Sequence, residues 1–185
     1  MNAASHHALG IAIRTLDAAT ASARLPELAQ ILIECVDDGG GVSFMAPLAR
    51  ARAESFWQGV IAGLARSDRI LLVAEDSESG RTLGTVQVAL AWQDNAPHRG
   101  EVCKMLVGRA WRGRGIGSAL LRAAESAARE AGRTLLTLDT FTGGDAERFY
   151  ERLGWTRAGV VPRYALFPHG GLGGTTIFYR DLSDE

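Results

Sequence analysis

Arg112-Gly113-Arg114-Gly115-Ile116-Gly117-Ser118 is the stretch on which the fold turns. The apolar run Glu101–Val107 before it reads as a strand. Behind it, Ile116, Leu120, Ala123, Ala124, Ala127 and Ala128 recur at helical spacing, which predicts a helix from about Gly115 to Ala131 with a narrow stripe able to lie close on a sheet. A glycine-rich turn from a strand into a helix gathers backbone N–H groups at the helix's positive end, a geometry that holds phosphate. Arg112 and Arg114 add charge for the same anion. Two other nucleotide loops do not fit. A P-loop needs lysine and then Ser or Thr after its second glycine, whereas Gly113 is followed by Arg114 and Gly115; a dinucleotide fingerprint needs G-x-G-x-x-G directly after the strand, whereas the spacing here is Gly113-x-Gly115-x-Gly117, separated from Val107 by a five-residue turn.

Outward from this turn the chain alternates strands and helices. Upstream, Gly10–Leu16 reads as a strand and Leu25–Val36, with Pro26 in its first turn, as a helix stopped at Asp38-Gly39-Gly40-Gly41. After a glycine-rich loop, Gly39–Pro47, a second helix carries Phe56, Val60, Ile61 and Leu64 on one face. Ile70–Glu75 and Leu83–Trp92 form a hairpin about Gly80, with Val86, Val88, Leu90 and Trp92 on one side. Downstream, Leu135–Thr140 is a strand and Asp145–Leu153 a helix capped by Asp145 and ended by Gly154; Trp155–Ala165 and Thr175–Leu182 are the last two strands. Hairpins joined to strand–helix–strand crossovers predict an α/β fold: a mixed sheet of about seven strands with helices on both faces, in one domain over residues 1–185.

Composition excludes several classes. A formal net charge of −1 offers no basic field for nucleic acid or an anionic membrane. Cys35 and Cys103 are too few and too far apart for a disulfide framework, and His6, His7, His98 and His169 lack metal-ligand spacing, so no metal is expected. No segment approaches the roughly 20 apolar residues of a membrane span, and no secretory signal opens the chain, so the expected location is the cytoplasm.

The motif Arg112-x-x-Gly115-x-Gly117, the strand Val102–Val107 and the later Phe149-Tyr150-Glu151-Arg152-Leu153-Gly154-Trp155 together resemble the GNAT superfamily of N-acetyltransferases across Ile70–Leu182. Gly40-Gly41-Val42-Ser43-Phe44-Met45-Ala46-Pro47-Leu48, Ser55-Phe56-Trp57, Arg99-Gly100-Glu101-Val102-x-Lys104 and Leu138-Asp139-Thr140 further resemble the tabtoxin-resistance acetyltransferase group. The resemblance implies an acyl-CoA N-acyltransferase fold and transfer of acetyl from acetyl-CoA to a primary amine of a small molecule, such as a toxin, an antibiotic or an amino-acid-like compound, by a monomer or homodimer. A protein or peptide amine as acceptor, or a non-catalytic acyl-CoA sensor, is the alternative.

The same resemblance places the cofactor phosphates on Arg112, Gly113, Arg114, Gly115, Ile116, Gly117 and Ser118, and pantetheine along the backbone of Met105, Leu106 and Val107. It makes Tyr150 the general acid toward the departing sulfur, with Phe149 as its packing neighbour. Glu101 and Asp139 are candidates for a base or ammonium-binding group, since both are acids amid apolar strand residues: alternation puts Glu101 with Cys103 and Met105, and Asp139 with Leu135 and Thr137. His98 is a weaker base candidate. The loop Gly41–Met45, Trp57 and Gln87 are candidate walls for the acceptor. Where many of the resembled enzymes carry an asparagine contacting the cofactor, seven residues before the tyrosine, this chain has Gly143.

Overall fold

In the computed structural model, which describes residues 10 to 183, seven strands form one sheet in the order β1-β2-β3-β4-β5-β7-β6. His6 and His7 lie outside the described residues. The elements run β1 (Ile11–Leu16), α1 (Ala18–Ala23), α2 (Leu25–Asp37), α3 (Arg50–Ala65), β2 (Arg69–Asp76), β3 (Thr82–Leu90), β4 (Arg99–Val107), α4 (Ile116–Glu130), β5 (Leu135–Phe141), α5 (Asp145–Arg152), β6 (Thr156–Leu166) and β7 (Leu172–Asp181). Neighbouring strands pair antiparallel except β4 and β5, which are joined through a helical crossover and run parallel.

Each face of the sheet carries its own core. On one face Ile116, Leu120, Leu121, Ala124 and Ala128 of α4 bury against Val86, Val88, Val102, Leu136, Leu138 and Phe178. On the other, Leu28, Leu32, Val36, Ala53, Trp57 and Val60 of α2 and α3 cover Leu71, Val73 and Leu106. Each fully buried side chain of this kind contributes about 1.5–3 kcal/mol. A buried hydrogen bond fastens α4 to the end of α5: the Trp155 indole N–H donates to Glu125 Oε1 at 2.8 Å. The second helical layer stops at the middle of the sheet, so Ile177 and Tyr179 of β7 and Val161 and Tyr164 of β6 stay partly exposed.

Four local expectations are corrected. The short α1, begun by Asp17 accepting the Thr20 N–H at 2.7 Å, precedes α2 and lacks an apolar stripe that would announce it. Trp92 lies beyond the end of β3 and is 85% exposed rather than in line with Val86 and Val88. Asp145 does not cap α5: Gly144 holds the cap position, Asp145 pairs with Arg148, and Glu147 reaches back to accept the Gly143 N–H at 2.6 Å. Lastly, β4 does not alternate strictly. Its register against β3 jumps between Thr85↔Leu106 and Gln87↔Cys103, so Val86 opposes two residues, and Lys104 takes a left-handed φ of 50°. Past this bulge Met105 and Val107 turn to the α4 core beside Val102, while Leu106 joins the α2–α3 core. Glu101 and Cys103 therefore share a face with each other but not with Met105.

Candidate active site

The parallel pair β4–β5 holds together only at Arg99↔Leu135, Gly100↔Leu136 and Glu101↔Thr137. Beyond Glu101 the strands part, and the edge of Val102–Val107 that faces β5 has no strand partner among the described residues. At the open end of this split the chain turns through a 3-10 turn, Arg109–Trp111, into α4. Gly115 sits at the helix N-cap with φ 78°, a conformation costly for any side-chain-bearing residue. The first helical bond is made by the Ala119 N–H, and the six amides from Gly113 to Ser118 have no acceptor among the described residues. Nothing lies within 4 Å of where a Cβ on Gly113 or Gly115 would project. Free N–H groups at a helix N-terminus, with open space beside the glycines, suit a phosphate.

The arginines beside these glycines have partners within the protein that the sequence does not announce. Arg112 turns inward: its Nε donates to the Val107 carbonyl at 3.1 Å, one terminal nitrogen pairs with Asp38 at 3.1 Å and the other lies 3.8 Å from the buried Cys35 Sγ. Its charge is thus partnered, and it ties the turn to β4 and to the end of α2. Arg114 lies over the Trp111 ring, 4.9 Å from its centroid, and stays exposed. Gly117 is small for a packing reason, because a Cβ there would come within 3.3 Å of the Phe149 ring.

Tyr150, Asp139 and Glu101 come to the split from its two sides. Tyr150 projects from α5 into the α4-side core, 7% exposed, among Phe149, Trp155 and Phe178. It is more buried than Phe149, which was expected to be the packed partner. Its hydroxyl has no hydrogen-bond partner among the described residues, and burial, seconded by the negative charge of Asp139, pushes its pKa well above the usual phenol range. Asp139 and Glu101 are exposed and project to the opposite face: Glu101 is in register with Ala89 and Thr137, and Asp139 lies two residues, about 6–7 Å, further toward the open end. Asp139 accepts a hydrogen bond from Thr175 Oγ1 at 2.8 Å. Neither acid has an ion-pair partner among the described residues; Arg99 donates to Gln93 and Lys104 to Ser43 instead. His98 precedes β4 at the closed end, where its carbonyl accepts the N–H groups of Thr134 and Leu135, away from the split. Gly143, with φ 83°, serves the cap of α5.

Asp139 forms the floor of a recess of about 240 Å³ walled by Gly41, Ser43, Phe44 and Met45 from the α2–α3 loop, Phe141 from β5, Tyr164–Leu166 from β6 and Thr175 from β7. The Phe141 ring lies directly on Gly41, where a Cβ would be 1.6 Å from it, and also meets Phe167 at 4.3 Å between centroids. The Ala46 N–H bonds the Pro168 carbonyl at 2.9 Å, stitching the loop to the β6–β7 turn. The loop thus lines the recess as expected, whereas Trp57 is fully buried core. Gln87 is also fully buried, with Oε1 accepting from Arg69 at 3.2 Å. The walls from β6 and β7 were missed, because the pairing that brings them beside the loop leaves no local pattern. A recess of about 320 Å³ between α2 and the Gly108–Trp111 turn lies apart from Asp139 and Tyr150. Among the described residues there is no cluster able to hold a metal, and no helix is long and apolar enough to cross a membrane.

Comparison with known proteins agrees with this geometry. The fold is similar to that of yncA from Salmonella typhimurium, solved with its cofactor acetyl-CoA (19% identity, 95% of this chain and 96% of that chain, TM-score 0.73). It is similar to a GCN5-related N-acetyltransferase from Kribbella flavida (23%, 94% and 98%, TM-score 0.75) and to a ribosomal-protein-alanine N-acetyltransferase from Brucella melitensis (22%, 92% and 99%, TM-score 0.74). The model of the acetyltransferase (GNAT) family matches residues 25–155, which contain the split strands, the free amides of the glycine turn and Tyr150. With its seven-stranded mixed sheet and a family model matched over most of its length, this chain belongs to the GNAT family of acetyl-CoA-dependent N-acetyltransferases.

Proposed function

We propose that the protein acetylates the primary amine of a small molecule held in the recess over Asp139. One observation carries the reading: the β4–β5 split lies between a buried phenol, Tyr150, and an exposed carboxylate, Asp139, whose recess of about 240 Å³ has the Phe141–Gly41 contact in its wall. That volume lies just below the range of about 300–1,000 Å³ usual for drug-sized ligands, which favours a small acceptor over an extended peptide.

Bound acetyl-CoA supplies an acetyl thioester. The free amides of Gly113–Ser118 bind its phosphates, and the unpaired edge of Met105, Leu106 and Val107 receives the pantetheine as an added strand. Unpaired N–H groups on that edge orient the thioester carbonyl and stabilise charge growing on its oxygen. Asp139 binds the acceptor's ammonium and takes its proton; at pH 7 a lysine-like amine is free of that proton in only roughly one molecule in a few thousand. Glu101, nearer the closed end, is the second acid able to receive a proton through water.

Tyr150 then gives its proton to the departing sulfur. Its raised pKa keeps the phenol protonated but makes it a weaker acid. Burial raises a thiol as it raises a phenol, as it does for Cys103 on the other face of β4. A sulfur brought into the split moves in the same direction, which narrows the mismatch.

Thiol release from acetyl-CoA across a panel of small amines and N-terminal peptides tests the reading. Turnover with small amines that is lost in Asp139→Asn is expected; turnover with peptides alone would reject it.

A further inference from the structure

Lys104 is the only lysine of the chain and stands at the bulge of β4 with φ 50°. It is half-buried, its ammonium 5.4 Å from the centroid of the Phe56 ring, and it has no carboxylate partner among the described residues. Its one hydrogen bond to another side chain runs from Nζ to Ser43 Oγ at 3.3 Å. Ser43 lines the acceptor recess, whereas Lys104 is not among its walls and reaches it through Ser43. A hydroxyl has one proton to donate. With its oxygen already accepting from an ammonium, Ser43 keeps its proton to donate to a ligand, and the positive charge it is bonded to strengthens that donor.

Across the recess stands Asp139, the one charged side chain in the lining, also without an ion-pair partner among the described residues. Thr175 Oγ1 is committed to Asp139 and the Thr140 carbonyl, which leaves Ser43 and the exposed Tyr164 hydroxyl as the side-chain donors of the lining, and only Ser43 is bonded to a cation. The recess therefore has an anion on its floor, a cation-backed donor on one wall and the rings of Phe44, Phe141 and Tyr164 between them. A neutral aliphatic or aromatic amine would satisfy Asp139 and leave Lys104 and Ser43 unanswered.

We infer that the acceptor is an amine that also carries an oxyanion, in the simplest case a carboxylate, seated with its ammonium on Asp139 and its oxyanion on Ser43 backed by Lys104. This rests on the small-molecule reading above and adds the chemical class. Lys104 and Ser43 become specificity-determining residues, and Lys104 acts through its charge as well as its contact with Phe56.

The test is a set of paired acceptors: amino acids with one to five carbons between amine and carboxylate, each beside the amine that lacks the carboxylate. For at least one spacing, kcat/KM should favour the carboxylated member by about 10–100-fold, the effect of a hydrogen bond to a charged group. In Lys104→Met, which keeps an apolar stem on Phe56, that ratio should fall toward one. Ser43→Gly, which removes the hydroxyl at a position with φ 74° that glycine accepts readily, should lower it as well. A ratio near one for every pair in the unmodified protein would overturn the inference while leaving the small-molecule reading intact. A preference that persists in both variants, each melting as the parent does, would also overturn it. No turnover with any amine while acetyl-CoA still binds would instead reject the small-molecule reading, and the inference with it.

Discussion

Arg112 and Asp38, 74 positions apart in the chain, form an ion pair at 3.1 Å that fixes the glycine turn to the end of α2. This relationship separates two explanations of the arginine in the Arg112-x-x-Gly115-x-Gly117 motif. If Arg112 works as a free charge for phosphate, neutralising Asp38 removes a competitor and tightens cofactor binding. If it works as a brace, neutralising Asp38 loosens the turn. The partnered geometry favours the brace, so Asp38→Asn, which also releases Arg109, should weaken acetyl-CoA binding by about 3–10-fold, consistent with the loss of two partly exposed charged contacts. Titration calorimetry reads the sign directly, and tighter binding would restore the free-charge explanation.

Gly115 offers a second test, of backbone rather than charge. A left-handed residue with a Cβ costs about 1–2 kcal/mol, and the Cβ would project into the open space proposed for the phosphates. Gly115→Ala should weaken acetyl-CoA binding about tenfold and Gly115→Val more. Gly80→Ala is the control: its φ of 69° and open surroundings match, but it lies in the β2–β3 turn. Equal affinity losses in both variants would mean that general destabilisation, and not the site, is being measured.

The framework was legible because its signals are local: the glycine turn between a strand and an alanine-striped helix, the alternation in Leu83–Leu90, the Phe149–Trp155 segment. What escaped was non-local or chemically silent. Ala18–Ala23 is a helix without a stripe. Lys104 carries no glycine-like signal for the left-handed turn that reverses the faces of β4. Arg112 beside a glycine invites a phosphate role, and only the fold reveals Asp38, Cys35 and the Val107 carbonyl around it. The recess is assembled from four separate segments, so sequence could offer Asp139 and the Gly41–Met45 loop but not their juxtaposition with Tyr164 and Thr175.

Asp139 should affect turnover far more than cofactor binding. As a proton acceptor, it matters most for strongly basic amines, which arrive almost wholly protonated. Asp139→Asn should therefore lower kcat/KM by about 10²–10⁴-fold for such amines and by less for weakly basic ones, with acetyl-CoA affinity nearly preserved. Thr175→Val, which removes the 2.8 Å hydrogen bond that orients the carboxylate, should act in the same direction but less strongly. Glu101→Gln should show the smallest loss. A uniform loss across amines of all basicities would make Asp139 an ammonium-binding group without a proton-transfer role.

Tyr150 is the position where packing and chemistry can be separated by one oxygen atom. Phenylalanine keeps the ring against Phe149, Trp155 and Phe178 and deletes the proton. If the departing sulfur needs that proton, Tyr150→Phe should lower the chemical step by about 10²–10⁴-fold while acetyl-CoA affinity changes little. The pH dependence follows from the upward shift that burial imposes on the phenol. Because the folded pKa lies above the unfolded value of about 10, activity should not decline through loss of the Tyr150 proton between pH 6 and 9. For stability, the protonated phenol makes its full contribution below pH ~10. Above it, the unfolded chain releases a proton that the folded chain retains, so stability falls as the pH rises. Tyr150→Phe has no such proton, and its Tm should decline less than the parent's between pH 8 and pH 10.5. Near-normal turnover in the variant, measured where chemistry limits the rate, together with the expected alkaline stability, would leave Tyr150 as a buried core ring and assign protonation of the sulfur to water.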